Sequence, residues 1–103
     1  MTTMFYFDGL TKQNSHIQYI TDLGEDRFTF DVRWNTYNEC AFLTILDGDG
    51  EEIIAGVALR NNLVIRKREL PYMLLFANVN DDTYEPTLDT ISTDFAMYYE
   101  DNQ

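Results

Sequence analysis

The sequence predicts an all-β fold: a small antiparallel β-barrel or sandwich built from a meander. Three observations carry this. Residues 27–34 alternate without a break, with Phe28, Phe30, Val32 and Trp34 on one side and Thr29, Asp31 and Arg33 on the other, the period of a half-buried strand. Asp47-Gly48-Asp49-Gly50 separates two apolar runs, and Asp-Gly pairs tolerate the positive φ that tight hairpins require. The aromatic residues are mostly Tyr and Phe, seven of each, and both favour strands over helices.

The elements follow in order. Residues 1–13 mix Phe5, Tyr6 and Phe7 with an Asp8-Gly9 turn and read as an arm or an edge strand. Ile17-Gln18-Tyr19-Ile20 is a strand that ends in a turn over residues 22–26. The alternating strand comes next, then turn chemistry at Asn35-Thr36-Tyr37-Asn38. Residues 41–46 and 53–59 form a hairpin about the Asp-Gly turn, and Asn61-Asn62 leads into a strand at Leu63-Val64-Ile65. Leu70-Pro71 interrupts, residues 73–79 are apolar enough for another strand, and residues 95–99 make a terminal one. Leu88, Ile91 and Phe95 fit a helical period within residues 88–97, but the Thr and Asp between them limit this to one short helical turn. Every strand has one apolar face, so the meander must close on itself or pack as two sheets.

The 103 residues fit one all-β domain. Eighteen acidic residues against seven basic ones give a net charge of −11. That balance excludes a duplex-binding surface, which needs Lys and Arg against phosphates, and an anionic membrane surface. It serves solubility and repulsion between free copies; the sharper readings are a docking face for a basic partner or a mimic of nucleic acid. A single cysteine, Cys40, permits no internal disulfide. No charged n-region followed by an apolar stretch opens the chain, so it reads as made in the cytoplasm.

The motifs that invite chemistry fail on spacing. A calcium loop starting at Asp47 would need Gly at its sixth position and Glu at its twelfth, where Glu52 and Ala58 stand. Asn78, Asn80 and Asp82 put Thr83 at the sixth position. His16 is the only histidine, and its pairing with Cys40 as a nucleophile or zinc site has no local support. There is no phosphate-binding Gly loop and no Gly-x-Ser-x-Gly. The expectation is no enzyme activity, no metal and no cofactor.

One feature stands above this background. Arg60, Arg66, Lys67 and Arg68 are four of the seven basic residues, within nine positions. From Asp81 onward come Asp81, Asp82, Glu85, Asp89, Asp94, Glu100 and Asp101, with no base. If these poles separate in space, copies can meet basic pole to acidic pole around a ring; if they pair internally, they cannot. The tyrosines Tyr37, Tyr72, Tyr84, Tyr98 and Tyr99 are the further candidates for contacts, since stable interfaces favour aromatics at their centres; the alternative is that half of them complete the core.

The order of motifs is also informative. Phe30-Asp31-Val32-Arg33-Trp34-Asn35 is followed by Ala41-Phe42-Leu43-Thr44-Ile45-Leu46-Asp47 and a Gly-rich turn. Then come Ile53-Ile54-Ala55-Gly56-Val57-Ala58-Leu59, Asn62-Leu63, and an end with Asp81, Asp82, Pro86, Leu88, Tyr98 and Tyr99. Over residues 28–99 this resembles the small baseplate plug proteins of contractile-tailed bacteriophages. It departs from them at Phe42, where a tryptophan is common, and at Tyr72, where a glycine is common. The resemblance implies a non-enzymatic virion protein of the tail baseplate, near the central hub or spike and the first tail-tube ring. Its partners would be hub, spike, tail-tube or tube-initiator subunits and further copies of itself, with no nucleic acid, membrane or small-molecule substrate. Arg60, Arg66, Lys67, Arg68, Tyr72, Tyr84, Tyr98 and Tyr99 are the expected assembly contacts. Two rivals come from other classes. A small acidic phage inhibitor that mimics nucleic acid fits the charge, but not the basic cluster. A carbohydrate-binding β-domain would need Trp34 as a platform, yet Trp34 shares its face with Phe28, Phe30 and Val32.

Overall fold

The computed structural model describes residues 2–23, 25–70 and 72–100. Gly24 of the expected turn, Pro71 of the expected interruption and Asp101 of the acidic run lie outside the described residues. Eight strands form: β1 (Thr2–Phe5), β2 (His16–Leu23), β3 (Asp26–Asn35), β4 (Cys40–Leu46), β5 (Glu52–Ala58), β6 (Leu63–Ile65), β7 (Met73–Asn78) and β8 (Phe95–Glu100). The first sheet is the meander β2-β3-β4-β5. The second has the order β1-β8-β7-β6, a shorter meander with β1 added beside β8. All pairs are antiparallel. Of barrel and sandwich, the chain makes the sandwich.

The alternation read in β3 sets the first sheet. Phe30 pairs with Tyr19 on one side and Ile45 on the other, and Val32 pairs with Ile17 and Leu43. Phe28, Phe30, Val32, Leu43 and Ile45 are buried. Trp34 is only half-buried, at the end of this row, packed against the core and not enclosed by it. From the second sheet, Leu74, Phe76 and Met97 face inward and are buried. Phe7 joins the layers: its ring lies 6.1 Å from both Phe30 and Phe76, and 5.5 Å edge-on from Phe5. Phe5 in turn stacks on Tyr19 at 4.7 Å, so β1 lies over β2. Residues 4–10 are therefore no free arm: β1 is an edge strand, and Phe7 and Leu10 behind it are core.

One local reading lengthens in the structure and another stays within its limit. β2 runs for eight residues, because β3 offers partners from His16↔Arg33 to Leu23↔Asp26 and pairing outlasts the apolar stretch. No helix forms between residues 88 and 97. Ile91 N–H donates to Thr87 C=O and Asp94 N–H to Thr90 C=O, at 2.9 and 2.8 Å, which gives turns of helical type. Phe95 and Met97 enter β8, the terminal strand read at residues 95–99, where Phe95 stacks on Phe76 at 5.6 Å.

Candidate assembly interface

The basic cluster divides in space. β6 has three residues, and the segment from 66 to 72 carries the chain back into β7. Leu70 N–H closes a turn on Lys67 C=O at 3.0 Å, while Ile65, Leu70 and Tyr72 are buried and anchor it. Arg66, Lys67 and Arg68 are left exposed on this turn. Arg66 Nε donates to Met73 Sδ at 3.2 Å. Among the described residues the ion pairs are His16–Asp31, Arg33–Asp31 and Arg27–Asp22, so none of the clustered cations is neutralised by a neighbouring carboxylate. Arg60 lies at the other end of β6, where it borders an open depression of about 410 Å³ with Trp34, Glu39, Glu85 and Pro86.

The acidic segment between β7 and β8 sits at the opposite end of β7 from the basic turn. Six residues at ~3.3 Å each separate the two. Asn61 fixes this segment: its N–H donates to Glu85 Oε1 at 3.0 Å, and its Nδ2 donates to Asp82 C=O at 2.7 Å. The acidic run is not one pole, however. Glu100 pairs with Met73 and so returns to the basic end.

The tyrosines fall into two groups. Tyr72 is 8% exposed and its ring is 5.7 Å from that of Tyr99; Tyr99 faces inward beside Phe5 at 6.2 Å. Both complete the core beneath the surface. Tyr84 is exposed, rests edge-on against Phe95 at 5.6 Å and donates its hydroxyl to Asp94 Oδ2 at 2.6 Å. That hydrogen bond holds its phenol above the ordinary value. Tyr98 is half-buried on the outer face of β8; partial desolvation, then Tyr6 and the charge of Asp81, push its phenol up. Tyr37, 99% exposed in the β3–β4 turn, is the most open aromatic among the described residues.

The motifs rejected on spacing have local work. Asp47 Oδ1 accepts the N–H groups of Asp49 and Glu51, both at 2.9 Å, and so shapes the hairpin. Asn78 Oδ1 accepts those of Asn80 and Asp82 at 2.7 and 3.3 Å. Asp47→Ala should therefore cost about 1 kcal/mol, the usual net worth of such hydrogen bonds, and chelator should not change that cost in a thermal melt. Among the described residues, no three His, Cys, Asp or Glu side chains gather as a metal site would require.

His16 has a partner that sequence reasoning missed. Its Nε2 lies 2.7 Å from Asp31 Oδ2, while Cys40 is buried at the start of β4. Gln18 Nε2 donates to the same oxygen at 3.0 Å, and Arg33 Nε to Oδ1 at 3.3 Å. Asp31 points outward yet is only 9% exposed, because these side chains cover it. The register His16↔Arg33 and Gln18↔Asp31 was the signal, legible once β2 was extended by one residue.

The exposed cations of the 66–68 turn and the open Tyr37 and Tyr84 are the features that stand out on this surface among the described residues. A search of curated proteins finds no match. The family model described as cyanophage baseplate Pam3 plug gp18 matches residues 4–102, nearly the whole chain. The chain thus belongs to the family of the cyanophage Pam3 baseplate plug gp18, structural proteins of the phage tail baseplate.

Proposed function

We propose that this protein is a plug-type subunit, held near the central hub or spike and the first tail-tube ring of a contractile tail, and that it acts by contact and not by catalysis. Its neighbours are the hub or spike, tail-tube or tube-initiator subunits, and further copies of itself; it takes no nucleic acid. The observation that supports this most is the turn bearing Arg66, Lys67 and Arg68. Three adjacent exposed cations have no carboxylate neighbour within 4 Å among the described residues, in a chain of net charge −11. Charge left open in this way suits an acidic surface on another subunit. Arg60, Tyr84 and Tyr98 extend the contact surface, with Tyr72 and Tyr99 supporting it from below.

A single exposed pair contributes on the order of 0–1 kcal/mol, but a symmetric assembly repeats it in every copy. Arg66→Glu combined with Arg68→Glu should leave the circular dichroism spectrum and melting midpoint unchanged while blocking incorporation into tails. Normal incorporation into infectious particles would reject this role for the turn.

A further inference from the structure

The second sheet has two apolar faces. Its inner face belongs to the core. On its outer face one row crosses all four strands: Met4, Tyr98, Leu75 and Val64 stand side by side in the registers Met4↔Tyr98 and Val64↔Leu75, with Leu75↔Tyr98 between them. Met4 and Val64, at the two edges, are 47% and 52% exposed. Met73 and Ala77 flank Leu75 along β7, and Ala96 lies beside Ala77. Among the described side chains at these outward positions, none is charged. The outer face of the first sheet is mixed: Ile20, Phe42 and Leu46 stand there among His16, Gln18, Asp22, Arg27, Asp31 and Arg33. An antiparallel sheet with one solvated face alternates apolar and polar residues. Here β7 does not alternate, and a sheet apolar on both sides is one that is covered on both sides.

We infer that this face is covered by a second copy of the same chain, related by a two-fold axis that runs along the row Met4–Tyr98–Leu75–Val64. Charge selects that operator. Rotation about Leu75 carries Met73 over the position of Ala77 in the second copy. An open depression of about 420 Å³ runs along this end of the face, from Met73 past Leu75, Ala77 and Tyr98 to Asp81. The thioether of Met73 in its wall is flexible and adapts to an apolar partner. The same rotation sets Arg66 and Lys67, beyond Met73, against Asp81, beyond Ala77. A rotation axis along the strands would instead oppose like ends. The face is therefore complementary to itself in one orientation, as an isologous contact requires. The net charge of −11 repels a second copy at long range, but at ~0.15 M salt the Debye length is about 8 Å, so the contact pairs outlast the repulsion.

The inference rests on reading the chain as an assembly subunit, but its test runs on the purified chain alone, so a failure here and a failure of incorporation into tails are separate results. Sedimentation equilibrium at near-physiological salt, from micromolar to near-millimolar concentration, should show a monomer of 12.1 kDa giving way to a dimer. Leu75→Asp and Val64→Asp should each weaken that dimer roughly a hundredfold or more, since each places an uncompensated carboxylate in the contact. Asp81→Asn, which keeps a residue tolerant of the positive φ of 61° at this position, should weaken it by less. Circular dichroism confirms folding, and exposed Val64 keeps the test open if Leu75→Asp fails to fold. A monomer at every concentration would overturn the inference. So would a dimer that neither apolar-to-Asp variant weakens.

Discussion

Phe30→Ala is expected to cost about 3–5 kcal/mol and to lower the melting midpoint by roughly 15–25 °C. Phe30 is fully buried, at the crossing of both sheets and the N-terminal segment. It meets Phe5 edge-on at 5.2 Å and Phe7 at 6.1 Å, and pairs through its backbone with Tyr19 and Ile45. Both sheets hold the surrounding rings, so the site cannot collapse around the missing one, and the cavity adds to the lost transfer energy. Against a total of about 5–15 kcal/mol for a domain, this is a large share. Phe30→Leu, which keeps most of the volume, should cost no more than about half as much. Equal melts for wild type and Phe30→Ala would mean the two sheets do not share this core.

The second large effect is at Asp31. Burial alone would raise its carboxyl; hydrogen bonds from Gln18 and His16, the charge of His16 and the bond from Arg33 outweigh this and hold it below the ordinary value. A carboxyl depressed in the folded state adds stability at pH above its unfolded value, about 3.9. That stability is lost as pH falls through the native value. Asp31→Asn removes the charge, leaves too few acceptors for three donors, and should cost about 1–3 kcal/mol at neutral pH. Urea unfolding of wild type and Asp31→Asn across the acid range should show the two converging as pH drops below ~4. Parallel curves would mean that the three donors contribute nothing specific to the ionised form.

The particular strands show what could be read before folding. β3 was legible because its apolar residues face one core and its polar ones point to the outer side of the sheet. The hairpin about Asp47 was legible because turn chemistry is local. Three things were legible only in part or not at all. β2 gains its length from β3, a partner that its own polar residues do not announce. Residues 88–97 carry spacing that fits both a helical turn and a strand, and both were read, but where one gives way to the other is set by the stacking of Phe95 on Phe76. Tyr72 and Tyr99 looked like contact residues by type, yet both complete the core. The charge poles were half-legible: Arg66, Lys67 and Arg68 do stand apart from residues 81–94 along β7, but Arg60 and Glu100 each sit at the other end from their group. The apolar outer face was present in the unbroken run of residues 73–77, which reads as a strand long before it reads as a doubly covered one.

The measurement closest to the central claim is a cryo-electron microscopy reconstruction of the tail tip from purified particles, with the chain counted by mass spectrometry. The expected result is an ordered sandwich present in fixed copy number at the baseplate, with Arg66, Lys67 and Arg68 against acidic protein surface and the outer face of β1-β8-β7-β6 covered. A particle that lacks the chain, or carries it with both the basic turn and that face open to solvent, would contradict it.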